Sequence, residues 1–265
     1  MKCGNNKLLL RSIDYSYGPK DDFEIIELTL SIPEKTISAV IGKNGSGKTT
    51  LLLLMLGYIK PIYGQVSICI NGKHIPAERA NGRIAYLPQN EEIPKEHTVN
   101  DFLLLGRIPF IGSFSQPSRK DYSIIEDVKE KLEIKHLGEN KLGQISGGEL
   151  QRVRIGRALV QEAHLILLDE PITHLDIGTK LKIISILEEL KRLGKTIIFT
   201  THDPLEAFQI ADNSILITRG RKILYGPTDN ILNEENLSSC LDTPLKFVVI
   251  NGQKVLIIKN ENRIW

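Results

Sequence analysis

The chain has 265 residues, 41% of them hydrophobic and 25% charged, which is the profile of a globular protein with one large domain or two small ones. Its formal net charge of +2 gives no indication of binding to nucleic acid or to an anionic membrane surface. The longest apolar run, residues 51–56, is far shorter than the roughly 20 residues that a membrane-spanning helix needs. Three widely spaced cysteines without a CxxC pair argue against a disulfide framework or a zinc site and fit a reducing cytoplasm.

Short β-rich runs and helical stretches alternate along most of the chain. Strands are predicted over residues 8–13, 25–32, 36–41, 65–70, 83–87, 165–168, 196–200 and 214–218. Helices are predicted over residues 49–56, 177–193 and 204–210, the first of them ending at Gly57. This alternation indicates a parallel sheet with crossover helices.

Residues 98–160 have helical periods and no convincing strand, which predicts a helical insert in an α/β protein. Within it, helices are expected from an N-cap at Thr98 to residue 105, over residues 118–132, and from near Gly148 to Val160. Near the end of the chain, residues 247–250 and 254–258 flank Asn251-Gly252, the preferred turn of a two-residue β-hairpin.

Residues 42–49 fit the pattern GxxxxGK[ST] and lie between a predicted strand and a predicted helix, the context that a phosphate-binding loop requires. The glycines allow backbone N–H groups to turn inward around a phosphate, and the helix N-terminus adds partial positive charge. Lys48 is placed to reach the β- and γ-phosphates, and the Thr49 hydroxyl to bind Mg²⁺. The nucleotide-binding set predicted from this segment is Gly42, Asn44, Gly45, Ser46, Gly47, Lys48, Thr49 and Thr50.

Two carboxylates follow the apolar strand at residues 165–168. Parallel strands deliver ligand-binding groups at their carboxyl ends, where the phosphate loop is also expected. Asp169 is therefore suited to hold Mg²⁺, directly or through water, and Glu170 to polarise an attacking water. His202 follows another strand end and is a candidate to contact the γ-phosphate, while His74, His97, His136, His164 and His174 are interpreted as structural or exposed.

A second candidate anion site, Ser146-Gly147-Gly148-Glu149, lies at the start of a predicted helix, 23 residues before Asp169. Preceded by Ile145, it resembles the signature of the ABC ATPase family, which is LSGGQ in most members. One nucleotide has no use for two phosphate sites in one chain unless they meet across an interface. In that family, the signature of one subunit closes on the ATP held by the other.

The resemblance extends over residues 8–240 and assigns further roles. Tyr17 corresponds to the aromatic residue that stacks on adenine, with the strand residue Tyr15 as a weaker candidate. Gln89 corresponds to the glutamine that senses Mg²⁺ and the γ-phosphate and links to the permease. Asp176 lies in a segment that resembles the loop at the dimer seam, and His202 corresponds to the switch histidine.

Several positions depart from the family pattern without removing a catalytic group. Lys43 stands where proline is common, Lys35 where glycine often precedes the strand, Glu149 where glutamine is usual, and Ile172 where threonine or serine is usual.

The resemblance implies an α/β P-loop NTPase fold with a RecA-like parallel-sheet core, an N-terminal antiparallel β subdomain and a helical subdomain that carries the signature. We expect one ATPase domain over residues 1–240, with the helical subdomain inserted at about residues 98–160, and a β-hairpin tail over residues 241–265 packed on the same domain.

The implied activity is ATP hydrolysis with ATP and Mg²⁺, coupled to transport. Two subunits, expected to be a homodimer, would close on ATP and move a separate integral membrane permease, with a substrate-binding protein as an indirect partner and no nucleic acid. The expected location is peripheral, at the cytoplasmic face of the cell membrane.

The stretch Gly106-Arg107-Ile108-Pro109-Phe110 resembles importers of iron–siderophore complexes, haem and cobalamin. Zinc or manganese importers and molybdate or tungstate importers are the nearest alternatives. A soluble ABC-type ATPase of DNA repair or translation is a more distant one, since the chain has neither a long coiled-coil insertion nor a second ATPase domain.

Overall fold

The computed structural model describes residues 6–18, 24–112, 115–173, 175–218, 222–250 and 253–259. The strands in these ranges are β1 (Asn6–Ser16), β2 (Glu24–Pro33), β3 (Ile37–Ile41), β4 (Tyr63–Ile70), β5 (Lys73–Pro76), β6 (Ile84–Leu87), β7 (Leu165–Leu168), β8 (Thr196–Thr201), β9 (Asn213–Ile217), β10 (Ile223–Pro227), β11 (Leu245–Ile250) and β12 (Gln253–Ile258).

The α-helices in the same ranges are α1 (Lys48–Leu56), α2 (Val99–Leu105), α3 (Arg119–Lys131), α4 (Gly147–Leu159), α5 (Ile177–Arg192), α6 (Pro204–Ile210), α7 (Thr228–Ile231) and α8 (Glu234–Leu241). Short 3₁₀ turns lie at Ala77–Arg79, Ile108–Phe110, Lys135–Leu137 and Leu142–Gln144. Among the residues that the structure describes, no helix has both the length and the apolar character needed to cross a membrane.

The central sheet has the strand order β10-β9-β3-β8-β7-β6. Strands β9, β3, β8, β7 and β6 are parallel, and β10 pairs antiparallel at one edge. Every residue of β3, β7 and β8 is buried, as expected for parallel strands covered on both faces. The parallel core predicted from the strand–helix alternation is therefore confirmed.

A separate antiparallel sheet has the order β2-β1-β4-β5. Its apolar face packs with α1 against one face of the central sheet, in a core that includes Leu10, Ile32, Leu52 and Leu167. Helix α1 is buried nearly all round, and it ends at Gly57, whose φ of 74° is the left-handed conformation that glycine adopts at helix ends. The predicted N-terminal antiparallel sheet is present. Strand β5 was not predicted because its four residues have no apolar alternation.

Helices α2, α3 and α4 form the helical insert and pack in the core on the opposite face of the central sheet. Their N-caps are Thr98, Ser118 and Ser146, and each forms a capping box with an acidic residue three positions later. The N-cap predicted at Thr98 is confirmed, and the third helix begins at Gly147, one residue before the predicted start.

Arg107 joins the three helices of the insert. Its side chain is buried and donates to the Asp121 carboxylate at 2.8 Å, the Val160 carbonyl at 2.7 Å and the Glu162 carboxylate at 3.1 Å. A Cβ atom on Gly106 would overlap the carbonyl oxygen of Arg157, so glycine is needed where α2 ends against α4. The Gly-Arg pair of residues 106–107 therefore has a structural role in the packing of the insert.

The last part of the described chain contains elements that were not predicted, namely β10, α7 and α8. The hairpin strands β11 and β12 pair as expected, whereas the Asn251-Gly252 turn lies outside the described residues. Phe247 of β11 makes an edge-to-face contact with Phe208 of α6, with ring centroids 5.5 Å apart. The hairpin is thereby attached to the face of the sheet that α6 covers.

The cysteines depart from the expectation. Cys240 is free and buried, and Cys69 is disulfide-bonded. An odd number of cysteines excludes complete pairing but not a single bridge, because proximity in the fold decides pairing and spacing along the chain does not.

The Asp121 carboxylate predicts a pH dependence of stability. Hydrogen bonds from Ser118, with a smaller effect of Arg107, lower the pKa of Asp121 from 3.8 to about 2. A carboxylate with a depressed folded-state pKa stabilises the fold above its unfolded-state pKa, and this contribution is lost as the pH falls toward the folded-state value. We expect Asp121→Asn to lower the free energy of unfolding at pH 6 by about 1–3 kcal/mol.

The difference between Asp121→Asn and the unmodified chain should shrink as the pH is lowered from 4 toward 2, the window between the two pKa values. Urea unfolding of both proteins at several pH values measures it. A difference that stays constant over this window would contradict the assignment of the effect to the Asp121 charge.

Candidate functional site

The segment between β3 and α1 forms a glycine-rich loop. Gly45 and Gly47 have φ values of +76° and +97°, which other L-residues rarely adopt. A Cβ atom on Gly42 would overlap the Ser46 hydroxyl, so the loop closes tightly. Lys48 begins α1, and its buried ammonium donates to the carbonyls of Gly42 at 3.0 Å and Lys43 at 3.2 Å.

Ser46 carries an unsatisfied polar atom. Its hydroxyl is buried and has no hydrogen-bond partner among the described residues. A buried polar group without a partner costs about 1–3 kcal/mol. In a loop whose sequence predicts phosphate binding, this hydroxyl is available for a ligand oxygen.

Asp169 connects the loop to the neighbouring strands. It is almost completely buried, and its two oxygens accept hydrogen bonds from the hydroxyls of Thr49 at 2.7 Å and Thr200 at 2.5 Å. Burial raises the pKa of the nearby Tyr86 phenol to about 12, and the negative charge of Asp169 adds to this rise. The carboxylate thus lies beside the helix N-terminus that follows the loop.

Glu170 is held in an unusual backbone conformation, with φ at +49°. Its N–H donates to the Thr200 hydroxyl at 2.8 Å, and its Oε2 accepts from the Thr173 hydroxyl at 3.1 Å. A non-glycine residue in the left-handed region is strained, and such strain is common at functional sites. The carboxylate lies 3.6 Å from Lys48 Nζ and 3.6 Å from Nδ1 of the half-exposed His202.

Beside these groups lies a cleft of about 520 Å³, which Gly42, Ser46, Asp169 and His202 do not themselves line. The described residues that line it are Tyr17, Asn44, Gly45, Gly47, Lys48, Thr49, Thr50, Gln89 and Glu170. A larger cavity of about 890 Å³ lies elsewhere, lined among others by Lys7, His164 and Thr196, and none of the predicted site residues lines it.

Tyr17 forms one wall of the cleft. It is 55% exposed, and its hydroxyl lies 2.8 Å from the Thr50 hydroxyl. Tyr15 is buried in β1 and contacts the edge of the Tyr17 ring. Its predicted packing within a strand is confirmed.

The four residues predicted as a second anion site are not among the described residues that line the cleft. Ser146 is the N-cap of α4, and its N–H and hydroxyl donate to the Glu149 carboxylate at 2.8 and 2.7 Å. The Ser146 hydroxyl is the main cause of the lowered pKa of Glu149. Both Ser146 and Gly147 are exposed.

Asp176 lies next to this surface as the N-cap of α5. Its carboxylate accepts from the backbone and the hydroxyl of Thr179 at 3.0 and 2.7 Å, and the hydroxyl contact is the main cause of its lowered pKa. A Cβ atom on Gly148 would lie 3.1 Å from the Thr179 hydroxyl. The N-termini of α4 and α5 therefore form one exposed patch outside the cleft, while His174 of the same loop lies outside the described residues.

Sequence reasoning missed Thr200 and Thr173. Thr200 contacts both Asp169 and the backbone of Glu170. The available signal was a threonine at the end of a fully buried strand, because a buried hydroxyl needs a partner. Thr173 gave no comparable signal, since it lies in a loop.

The protein groups near Asp169 fit a magnesium ion shared with a phosphate ligand. In the described part of the chain, no group of three or more His, Cys, Asp or Glu side chains is placed to hold a metal. The Thr49 hydroxyl and the Asp169 carboxylate lie 2.7 Å apart. Mg²⁺ is usually bound through one or two carboxylates plus substrate phosphates, so a small oxygen donor set is sufficient.

The family model for ABC transporters matches residues 25–173. The chain is 32% identical to the molybdate import ATP-binding protein MolC of Haemophilus influenzae, over 91% of this chain and 90% of the relative. It is 33% identical to the manganese transport system ATP-binding protein MntB of Listeria innocua, over 86% and 94%. It is 31% identical to an iron chelatin transport ATP-binding protein of Helicobacter pylori, over 91% and 95%.

A solved structure of a metal-chelate type ABC transporter in an inward-facing conformation superposes with a TM-score of 0.85. Its sequence is 29% identical, and the match covers 97% of this chain and 99% of that one.

The chain belongs to the ABC transporter family, and the P-loop NTPase fold class predicted from the sequence is confirmed. Within that family it is the ATP-binding subunit of an importer, an ATPase coupled to transport.

Removal of the unpartnered Ser46 hydroxyl should have opposite effects on the stability of the free protein and on its stabilisation by nucleotide. Ser46→Ala removes a buried polar group without a partner, so the free protein should keep or raise its melting temperature. The rise in melting temperature on adding MgATP should be smaller, corresponding to roughly 10-fold weaker binding, because a hydrogen bond to a charged phosphate is lost.

Thermal unfolding of both proteins over a range of MgATP concentrations measures the two effects. If the melting temperature of Ser46→Ala rose with MgATP as much as that of the unmodified chain, the Ser46 hydroxyl would not form a hydrogen bond to phosphate.

Proposed function

We propose that this chain binds MgATP in the cleft beside the glycine-rich loop and hydrolyses it as one half of a dimer of identical chains. The observation that carries the proposal is the convergence of Lys48, Thr49 and Glu170 in one cleft, with Asp169 hydrogen-bonded to Thr49 and His202 3.6 Å from Glu170. Each of these groups matches one requirement of phosphoryl transfer to water.

The loop residues bind and orient the triphosphate. Backbone N–H groups at the start of α1 supply partial positive charge. The Lys48 ammonium would exchange its present carbonyl partners for phosphate oxygens, a gain because charge-assisted hydrogen bonds to an anion are stronger. The half-exposed Tyr17 would stack against the adenine ring, since its phenol is held in place by Thr50.

Thr49, Asp169 and Gln89 are the residues that would hold magnesium. Bound Mg²⁺ would neutralise charge on the β- and γ-phosphate oxygens. The Thr200 hydroxyl binds one oxygen of Asp169 and the Thr49 hydroxyl the other, so the carboxylate is oriented before the ligand arrives. Gln89 is exposed and lines the cleft, where it can sense the ligand.

Glu170 would orient and polarise the attacking water through its side-chain oxygens. Three contacts fix its position, namely its N–H to Thr200, its Oε2 to Thr173, and the proximity of Oε1 to Lys48. His202 lies on the solvent side of this carboxylate. From there it can align the water and contact the γ-phosphate.

The second copy would complete the site. Ser146, Gly147, Gly148 and Glu149 lie at an exposed helix N-terminus outside the cleft of their own chain, next to Asp176 and Thr179. A dimer that places this patch over the cleft of the other copy would give each nucleotide a second set of donors. Opening and closing of this dimer would be driven by the higher affinity of the closed state for MgATP.

The dimer would work at the cytoplasmic face of the cell membrane against a separate integral membrane permease, supplied with cargo by a substrate-binding protein. For the cargo we propose an iron complex, such as a siderophore or haem complex, or cobalamin. The Gly106–Phe110 stretch, the iron chelatin relative and the metal-chelate structure support this class.

The alternative cargoes are manganese or zinc and molybdate or tungstate. The manganese and molybdate relatives support these cargoes, because their sequence identities to this chain are similar to that of the iron chelatin relative. A non-transport ABC ATPase is disfavoured because the molybdate, manganese and iron chelatin relatives are transport proteins.

Glu170→Gln should bind MgATP, hydrolyse it at least about 100-fold more slowly, and accumulate as a dimer. The amide preserves the shape of the side chain but removes the charge that polarises water. The closed dimer would therefore no longer reopen through hydrolysis. Light scattering coupled to size exclusion, with and without MgATP, measures the association.

The matched control is the double variant Glu170→Gln with Ser146→Arg, which fills the exposed patch with a bulky cation. It should remain monomeric in MgATP. Dimerisation that persists in the double variant, or a single variant that stays monomeric with saturating MgATP, would argue against the proposed interface.

Cargo can be determined by transport in vesicles that contain the permease co-purified with this chain. We expect uptake of a ferric chelate, haem or cobalamin to depend on ATP and to be lost in Glu170→Gln. Uptake of Mn²⁺ or molybdate in the same vesicles would instead assign the alternative cargo class. If no membrane protein co-purifies with the folded chain, the proposed partnership with a separate permease is wrong.

A further inference from the structure

Helix α4 contacts two loops that border the nucleotide cleft. Its N-cap Ser146 lies in the exposed patch, and its side chains Gln151 and Arg154 face the loops after β7 and β6. Those loops carry Glu170 and Gln89. One helix therefore connects the patch that would serve the other copy with the cleft of its own chain.

Gln151 contacts the loop after β7. Its side chain is buried, and Nε2 donates to the carbonyl of Pro171 at 2.8 Å. Pro171 directly follows Glu170, so a shift of this carbonyl changes the position of the catalytic carboxylate. The Gln151 Oε1 atom accepts from Arg154 at 2.8 Å, which joins the two side chains into one network.

Arg154 contacts the loop after β6. Its Nη2 donates to the carbonyls of Pro88 at 2.6 Å and Gln89 at 3.2 Å. Its Nε lies 3.4 Å from the Glu91 carboxylate, and Arg157, one turn further along α4, lies 2.5 Å from the other oxygen of Glu91. The backbone of Gln89 is thus held by the helix even though its side chain is exposed.

Helix rigidity transmits displacement between these contacts. Ser146, Gln151 and Arg154 fall within about 12 Å along one helix, at 1.5 Å per residue. The helix has no proline, and its capping box fixes its first turn. A movement of Gln89 or Pro171 at the cleft is therefore passed to Ser146 as a movement of the whole helix.

We propose that Gln151 and Arg154 are positioning residues that couple the two nucleotide sites of the dimer. This inference rests on the proposed function. A nucleotide that moves Gln89 and Glu170 in one copy would, through these residues, set the position of the Ser146 patch that the same copy offers to the other nucleotide. Each site then influences the other, and the coupling is reciprocal for binding.

The chain offers a matched control on the same helix. Arg152 is also half-buried and also donates to two backbone carbonyls, those of Leu132 at 3.0 Å and Glu133 at 3.3 Å. Those carbonyls belong to the end of α3, inside the helical insert and away from the cleft. Arg152→Met and Arg154→Met therefore remove the same chemistry from one helix, but only the second acts on the loops beside the nucleotide.

The experiment measures ATP hydrolysis against ATP concentration for the full chain, Arg152→Met, Arg154→Met and Arg154→Lys, with thermal unfolding of each. For the unmodified chain and Arg152→Met we expect a Hill coefficient clearly above 1 and similar kcat. For Arg154→Met we expect the Hill coefficient to fall to about 1 and kcat to fall about 10- to 100-fold. The affinity for ATP of dilute, monomeric protein should change by less than about threefold, because Arg154 touches no nucleotide-binding side chain.

Arg154→Lys keeps the charge beside Glu91 but cannot serve both carbonyls and Gln151 at once, so its values should lie between those of Arg154→Met and the unmodified chain. If Arg154→Met does not fold, Arg154→Lys still tests the coupling between the two sites. A Hill coefficient and kcat for a folded Arg154 variant that match those of Arg152→Met would overturn the coupling. Absence of hydrolysis in the unmodified chain would overturn the proposed function, and with it this inference.

Discussion

The hydrogen-bonded chain from Thr49 through Asp169 to Thr200 connects the glycine-rich loop to two neighbouring strands of the central sheet. These residues follow or end three strands that are neighbours in the central sheet, in the order β3, β8, β7. Because the strands are parallel, their carboxyl ends meet at one edge, and the buried Asp169 needs two donors to be stable there. The same Thr200 hydroxyl also receives the N–H of Glu170. One buried carboxylate thus fixes the helix that follows the phosphate loop and the backbone of the adjacent glutamate.

The helical insert depends on a second buried ion pair, formed by Arg107 and Asp121 at 2.8 Å. Breaking a buried pair by removing one partner is strongly destabilising, since the remaining charge is left without compensation. Arg107 also satisfies the Val160 carbonyl at the end of α4, and Gly106 allows α2 to approach that helix. The residues that resemble one importer branch are therefore explained in part by packing within the insert, whatever cargo the transporter carries.

Much of the fold could be predicted from the sequence because its strong signals are local. Continuous apolar runs gave β3, β7 and β8, and the N-cap residue Thr98 gave the start of α2. β5 and β10 could not be predicted, because edge strands with few apolar residues are determined by pairing with distant segments. The short helices α7 and α8 were missed for a related reason, since packing rather than periodicity stabilises them.

For the site, the phosphate-loop motif and the resemblance to ABC ATPases identified the residues of the cleft, whereas contacts between distant segments were not predictable. Thr200 lies 31 residues from Asp169, and Arg154 lies 66 residues from Pro88. Thr200 is marked in the sequence only as a hydroxyl in a buried strand, which does not name its partner, and Arg154 is not marked, because an isolated arginine is common on any helix. Only the parallel order of the strands and the packing of α4 bring these groups together.

The backbone at Glu170 restricts how this protein can change over time. Its φ of +49° is unfavourable for β-branched side chains and tolerated by asparagine, aspartate and glycine. Substitutions to valine, isoleucine or threonine would therefore destabilise the fold as well as remove the carboxylate. Relatives that lose hydrolysis but keep the folded subunit should therefore have only a few residue types at this position. The type of the replacing residue would then reflect the backbone conformation that the fold requires there.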